Sequence, residues 1–508
     1  MPRYDFDYVV IGGGAAGLTA AGIAANAGAK TMMIERHRLG GDCTWTGCVP
    51  SKALLHAAHL AHAARTGGAF GVDAEVSIRF PDVIAHVHEL REEVYHDADR
   101  PEIFEGFGVE VVHGEARFTG PHTIEIAPEA GGDGAPREPR RVTSRMFCVC
   151  TGGRAAPPPI SGLDTVEALT NETLFEITEQ PEHLVIVGAG PIGVEMGQAF
   201  TRLGSRVTVL DRSDRILGRD DATHAEALRQ RLEEEGVAFR LGASVERVEP
   251  SDGASGGGAS GGGASGGVRV HLGSGESIEG DRLLIATGRK PNVEGLGLEA
   301  AGVEVGKRGI RVDDKCRTSQ KHIYAAGDCT GEYQLTHMSE HMAKVATTNA
   351  IVKVPSKIDR ARVPWTTFSS PEIAHLGAGE EELRERGKDY VVYRFPYSKV
   401  DRAITEGDTL GSVRVYATKW RGKILGASVL GERAGELMQI LAVAMKAGAT
   451  LQTLSDTLFA YPTYALGARR LADQWYVQKQ FPTAIKALQK VFGYRGTVPP
   501  PPDPDRIV

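Results

Sequence analysis

The stretch Asp7-Tyr8-Val9-Val10-Ile11-Gly12-Gly13-Gly14-Ala15-Ala16-Gly17, followed by an alanine-rich run and then Lys30-Thr31-Met32-Met33-Ile34-Glu35, decides the fold of this chain. It reads as strand, glycine turn, helix and second strand. Gly12 permits a tight turn, Gly14 lets backbone N–H groups approach a pyrophosphate at the helix N-terminus, and Gly17 lets the helix lie close against the strand. Glu35 then falls where the ribose hydroxyl of a dinucleotide is held. A lone glycine turn is as often ordinary as functional; the two flanking strands and the terminal acid are what separate the readings.

The same pattern recurs downstream. Leu184-Val185-Ile186-Val187-Gly188-Ala189-Gly190-Pro191-Ile192-Gly193 leads into a helix through Phe200 and a strand ending at Asp211. Gly188, Gly190 and Gly193 repeat the roles of Gly12, Gly14 and Gly17, so two bound nucleotides are expected. Each copy has a second echo, Cys148-Val149-Cys150-Thr151-Gly152-Gly153 after the first and Leu284-Ile285-Ala286-Thr287-Gly288-Arg289 after the second, which indicates a repeated architecture. Each half also carries a Gly-rich insertion, at about residues 127–140 and at 251–267, expected to be flexible hairpin tips; the second repeats GASG and carries no chemistry. From about Arg362 the texture changes to strand-like runs and then helices, an expected separate α+β domain. The tail Val498-Pro499-Pro500-Pro501-Pro502-Asp503-Pro504-Asp505 is too proline-rich for a core and is expected to be extended or disordered.

Composition narrows the function. A net charge of -7, with 41% apolar and 24% charged residues, is ordinary for a globular protein and provides no footprint for nucleic acid or an anionic membrane. No apolar run approaches the roughly 18 to 20 residues that span a bilayer, and Met1-Pro2-Arg3-Tyr4 leads directly into the first strand without a signal-peptide pattern. The expected compartment is the cytoplasm and the expected partner a small molecule.

Six cysteines are too few for a disulfide scaffold in 508 residues. Cys43 and Cys48 lie five positions apart at the entrance to an Ala- and Leu-rich helix, where a small disulfide loop is geometrically allowed. The helix dipole favours a thiolate at that end, and Lys52, one turn after Cys48, shares its face. Taken alone, such a pair is open to structural, metal-binding and catalytic readings. His56, His59 and His62 recur at three-residue spacing on the same helix and read as a solvated or packed face. Cys148 and Cys150 alternate along a strand, which is expected to point them to opposite faces, both buried. No metal site is expected.

The segments Gly40-Gly41-Asp42-Cys43-Thr44-Trp45-Thr46-Gly47-Cys48-Val49-Pro50-Ser51-Lys52, Ala286–Asn292 and Ile323–Asp328, together with the two glycine turns, resemble the class I pyridine nucleotide–disulfide oxidoreductases, in particular the mercuric reductase and dihydrolipoamide dehydrogenase branch. The resemblance runs from about Tyr8 to Val477. It implies an α/β fold with two Rossmann-like domains, for FAD first and NAD(P) second, and a C-terminal α+β dimerisation domain. The implied boundaries are 1–160 and 286–358 for the FAD-binding parts, 161–285 for the NAD(P) domain, 359–480 for dimerisation and 481–508 for the tail.

The same resemblance implies site roles. Thr151, Gly152, Asp328 and His337 would join the first glycine turn and Lys52 around FAD, with Asp328 on the ribityl chain. Glu195 would pair with Lys52 beside the flavin ring, and Gly288 would join the second turn at the nicotinamide nucleotide. Electrons would pass from NAD(P)H through FAD to a Cys43–Cys48 disulfide, Cys48 facing the flavin and Cys43 attacking the external acceptor. Asp211 favours NADH by repelling a 2′-phosphate, whereas Arg212 and Arg215 could accept one; the reading leans to NADH.

The family pattern breaks near the C-terminus. Disulfide-reducing members carry His-Pro-Thr and, a few residues on, a Glu that orients the His. Here Tyr461 stands at the His position and Leu466 at the Glu position, within Phe459-Ala460-Tyr461-Pro462-Thr463-Tyr464-Ala465-Leu466. A tyrosine, with an ordinary pKa of about 10, donates a hydrogen bond but is a poor base near neutrality. Mercuric reductases also carry Tyr there, yet their C-terminal cysteine pair is missing, since the last cysteine is Cys329. The resemblance implies a homodimer in which Tyr461 completes the site of the other subunit. A flavin-dependent reductase of quinones or other acceptors and a nonenzymatic flavoprotein sensor are the competing readings.

Overall fold

The computed structural model describes residues 3–127, 138–251, 267–479 and 481–497, without the side chains of 477–484. Most of the two Gly-rich insertions and the proline-rich tail expected from the sequence lie outside the described residues. The chain divides into two compact units, one of residues 1–184, 246–271 and 277–358, the other of residues 185–245, 272–276 and 359–508.

The first unit is built on a seven-stranded sheet. Phe6–Ile11 lies between Thr31–Glu35 and Arg140–Val149, parallel to both. Val109–His113 extends the sheet beyond Thr31–Glu35, and Ile323–Ala325 pairs in parallel with Arg140–Val149. Val9, Val10, Met32, Met33 and Phe147 are fully buried, as expected of parallel strands covered on both faces. Each such side chain contributes roughly 1.5–3 kcal/mol on leaving water. The helix Ala15–Asn26 presents Ala20, Ala21 and Ala24, all fully buried, and packs on the helix Thr336–Thr347; small side chains allow that close approach.

Register places the chemistry at one edge of this sheet. Ile11 pairs with Val149, and Val149 pairs with Ala325, so three strands end level with one another. The turns that follow, at Gly12, at Cys150 to Gly152 and at Gly327 to Asp328, therefore converge outside the carboxyl ends of the strands, where α/β sheets bind their ligands.

The second unit begins with a smaller parallel arrangement in which Arg206–Leu210 pairs with Val237–Arg240, flanked by the helices Pro191–Leu203 and Ala222–Glu234. It continues as a five-stranded antiparallel sheet in the order Pro364–Thr367, Glu372–Gly377, Ile424–Gly431, Ser412–Ala417, Val391–Pro396. Ala434–Ala447 and Leu466–Lys479 close its core over Tyr393, Val415, Leu441 and Trp475. Two buried polar groups tie the unit together. Arg202 and Glu235 pair at 2.7 Å, each about 4% exposed, and losing one partner of such a pair costs about 3–5 kcal/mol. The ring of His224 bridges the Ser428 and Ser412 hydroxyls at 2.7 and 2.8 Å, and burial depresses its pKa to about 4, so it stays neutral.

The expectation for Cys148 and Cys150 needs correction. Both are buried, but their sulfurs are 3.5 Å apart and therefore not on opposite faces. Strand alternation applies only within a strand, and this one ends at Val149, so Cys150 already belongs to the turn. Among the described residues no helix is long and apolar enough to cross a membrane.

Candidate redox and dinucleotide site

The first glycine turn is fixed by sterics. Gly12 has φ +108°, and a Cβ there would stand 2.3 Å from the Cys150 carbonyl oxygen. A Cβ on Gly17 would stand 1.8 Å from the Gly12 carbonyl oxygen, so only glycine lets the helix approach. Gly14 caps the helix Ala15–Asn26 without any side-chain hydrogen bond, leaving the first-turn N–H groups for a ligand. The Glu35 carboxylate accepts the Gly13 N–H at 2.6 Å and the His37 N–H at 2.9 Å. This cradle fits a dinucleotide phosphate, and a side chain at Gly12 or Gly17 would push its own backbone apart.

The dithiol segment is bonded directly to that turn. The Gly40 N–H donates to the Gly13 carbonyl at 2.9 Å, and Gly14 and Gly40 form a β-bridge. Two helices follow, the short Gly41–Trp45 carrying Cys43 and the 19-residue Cys48–Thr66 beginning with Cys48. Neighbouring groups hold Thr44 and Trp45 in Gly41–Trp45. Thr44 donates to Asp99 at 2.6 Å, and the Trp45 indole donates to the Leu39 carbonyl at 2.7 Å. Arg91 donates to the Trp45 carbonyl at 2.8 Å while paired with Glu176. Arg38 stacks 3.7 Å from the Trp45 ring centre and is itself held by Glu92.

The two thiols differ electrostatically. All six cysteines are free, and Cys48 is exposed where Cys43 is half-buried. The Cys43 thiol donates to Cys48, pulling the Cys48 pKa down to about 6, with further help from Thr336, 3.2 Å away, and from the Lys52 ammonium. The same hydrogen bond, together with burial, drives Cys43 well above its ordinary value. Near neutrality the pair is thus poised as a Cys48 thiolate beside a Cys43 thiol.

A chain of charges runs from the dithiol to the third turn. Asp42, adjacent to Cys43, accepts from Thr46 and from Asn171 at 3.1 Å, and pairs with Arg289 at 3.0 Å. Arg289 reaches Asp328 at 3.5 Å and donates to the Gly153 carbonyl at 3.2 Å. Burial raises the Asp328 carboxyl above its usual range while Arg289 opposes that shift. Thr151 donates to the Asn292 carbonyl at 2.6 Å, the Asn292 N–H donates to Gly152, and Arg289–Pro291 pairs with Gly153–Ala155. Gly288, whose carbonyl accepts the Ala156 N–H at 3.0 Å, lies in this first unit. His337 sits on the first turn of Thr336–Thr347, next to the Thr336 that touches Cys48. Lys52 lies 3.3 Å from the Ser51 hydroxyl. His56 and His59 are exposed and His62 half-buried, and among the described residues no group of three or more potential ligands converges on a metal position.

The second unit repeats the cradle. Gly188 has φ +116°, Gly190 caps Pro191–Leu203, and a Cβ on Gly193 would stand 1.8 Å from the Gly188 carbonyl oxygen. Asp211 accepts the Ala189 N–H at 2.7 Å and the Ser213 N–H at 2.8 Å. Arg215 donates to the Gly218 carbonyl at 2.5 Å and lies 3.7 Å from Glu381, while Arg212 is exposed. Glu195 is buried and accepts the Phe368 N–H at 2.8 Å. Tyr461 is 70% exposed and Leu466 is buried, so the segment offers a phenol to the surface.

Sequence reasoning missed Asp42, Thr336 and Arg289 as members of the site. Asp42 and Arg289 stood inside motifs already read, and for Asp42 a charge next to a cysteine is the signal. Thr336 carries no such signal, because only the packing of its helix brings it to Cys48.

Comparison with known proteins agrees with this geometry. Residues 6–343 match the pyridine nucleotide-disulphide oxidoreductase family, and residues 363–470 match the dimerisation domain of the same family. The chain is 36% identical over 476 residues to a mercuric reductase of Bacillus cereus, covering 92% of this chain and 71% of that protein. It is 33% identical over 477 residues to a dihydrolipoyl dehydrogenase of Thermus scotoductus, covering 93% and 98%. Among solved structures, LpdA from Mycobacterium tuberculosis superposes with a TM-score of 0.82 at 29% identity, covering 92% of this chain and 99% of that one. The HOCl-induced flavoprotein disulfide reductase RclA from Escherichia coli superposes with a TM-score of 0.79 at 28% identity, covering 93% and 100%.

Proposed function

The chain belongs to the pyridine nucleotide–disulphide oxidoreductase family, an enzyme family pairing FAD with NAD(P)H, and from that premise we propose that it passes electrons through Cys43 and Cys48 to a thiol-reactive acceptor, in the manner of a mercuric reductase. The observation that carries this reading is the direct bond between the dithiol segment and the first glycine turn, Gly40 to Gly13. Bound FAD supplies hydride acceptance from the nicotinamide and two-electron delivery to sulfur. The protein's own part is to hold the cradle at Gly12, Gly14, Gly17 and Glu35, with Thr151, Gly152, Asp328 and His337 on the adjoining turns.

Cys48, kept as a thiolate by Cys43, Thr336 and Lys52, is the sulfur assigned to the flavin side. Cys43 holds a proton while it donates to Cys48, and is the sulfur assigned to the acceptor, releasing that proton as its bond to the electrophile forms. Gly188, Gly190, Gly193 and Gly288 are assigned to the nicotinamide nucleotide, with Asp211 selecting NADH because its carboxylate repels a 2′-phosphate. In a homodimer, Tyr461 would complete the site of the other copy. A tyrosine is a poor base near neutrality, and Leu466 brings no carboxylate to orient one, which supports a thiophilic electrophile over a dialkyl disulfide.

A panel of Hg(II), lipoamide, glutathione disulfide and quinones, run with NADH on the FAD-loaded protein and on Cys43→Ser, tests this. Hg(II) turnover that Cys43→Ser abolishes is the expected result. Quinone turnover that is indifferent to Cys43→Ser, with no Hg(II) turnover, would overturn it in favour of direct reduction.

A further inference from the structure

We propose that the helix Phe481–Phe492 is a docking surface for anionic lipid membranes, lying in the plane of the headgroups. Ile485, Leu488 and Phe492 recur at i, i+3 and i+7, with Val491 alongside, so they share one face of the helix. Leu488 is 44% exposed, Val491 72% and Phe492 62%, and Tyr494 just beyond is 62% exposed. A contiguous apolar strip of this kind left in water marks an interaction surface. Lys486 and Lys490, four residues apart, occupy the other face, and both are exposed.

Charge selects the partner. No Asp or Glu occurs between Asp473 and Asp503, whereas Lys479, Lys486, Lys490 and Arg495 do, in a chain whose net charge is -7. An amphipathic helix with an aromatic and aliphatic face, a lysine face and no acids has the make-up of an interfacial helix, and anionic headgroups complement it. At 12 residues it extends about 18 Å, well short of a bilayer core, so it lies on the membrane and does not cross it. A second copy of this chain is a poorer occupant. The match to the family's dimerisation domain ends at residue 470, before this helix begins.

The test is flotation of the full-length, FAD-loaded protein with vesicles of equimolar phosphatidylcholine and phosphatidylglycerol, against vesicles of phosphatidylcholine alone. Two double variants accompany it, Leu488→Glu with Phe492→Glu and Lys486→Glu with Lys490→Glu. Their flavin absorbance and thermal unfolding report folding, and light scattering reports mass. The expected result is binding to the anionic vesicles that falls at least tenfold on neutral vesicles and in each double variant, at unchanged mass and flavin content; each cation is worth roughly fivefold. Failure to float with anionic vesicles, or flotation that survives both double variants, overturns the proposal. So does a drop in mass of the Leu488→Glu, Phe492→Glu protein, which would assign the face to a second copy.

Discussion

The two glycine turns are near-copies in geometry and differ in what lies against them. Gly12 and Gly188 take φ of +108° and +116°, and in each turn a Cβ on the last glycine would stand 1.8 Å from the carbonyl of the first. In each, an acid at the end of the second strand accepts the N–H of the second turn residue, Glu35 from Gly13 and Asp211 from Ala189. In each, the chain after that strand folds back to donate to that residue's carbonyl at 2.9 Å, from Gly40 in one and from Leu217 in the other. Past this point the copies part. The first returning segment continues into Cys43 and Cys48, the second into Asp221, which caps Ala222–Glu234 by accepting the His224 N–H at 3.0 Å. The scaffold is thus one turn used twice, and the two copies differ in the segment that returns to it.

Breaking the two cradles separately should produce the largest effects. Gly17→Ala is expected to lower FAD retention by one to two orders of magnitude, since overpacking costs typically 1–3 kcal/mol, while leaving nicotinamide nucleotide affinity of the flavin-loaded fraction intact. Gly193→Ala is expected to do the converse. Flavin absorbance after gel filtration and nucleotide titration separate the outcomes, and loss of FAD in both variants would break the comparison. Next in size, Asp211→Ser is expected to raise the ratio of NADPH to NADH kcat/KM at least tenfold by removing the repelling carboxylate, whereas Glu35→Gln should leave that ratio unchanged.

Smaller effects sharpen the difference between the returning segments. Arg289→Met removes the cation that screens Asp42, and an unscreened anion beside Cys48 disfavours its thiolate. The pH at which thiolate-to-flavin charge transfer appears should rise from about 6 by roughly half a unit to one unit. Thr336→Val removes one neutral hydrogen bond to the same sulfur, and a rise of about half a unit or less is expected. Absorbance titrations at long wavelength measure both.

Much of this was legible because sterics write glycine into sequence. The spacing of Gly12, Gly14 and Gly17 has few explanations once strands flank it, and the repeat at Gly188 removes most of those. The dithiol was legible from its position after the turn, although Gly40 bonding to Gly13 was not. Partners drawn from far along the chain were hidden: Thr336 reaches Cys48 across 288 positions, and no local pattern announces it. Cys148 and Cys150 were misread because alternation was carried one residue past the end of a strand. A net -7 also conceals a local asymmetry, the acid-free, lysine-bearing stretch of residues 474–497. Tyr461 and Leu466 were legible as substitutions for a His and Glu pair.

The central claim is that the dithiol is the electron store beside the first cradle. Anaerobic titration of the FAD-loaded protein with NADH, in parallel with Cys48→Ser, measures this most directly. The expected result is that the unaltered protein takes up one more two-electron equivalent than Cys48→Ser and develops a long-wavelength band. That band should fade as pH falls through about 6, because protonation removes the Cys48 thiolate. Equal uptake by the two proteins, with no such band in either, would contradict the claim and leave the flavin as the point of electron exit.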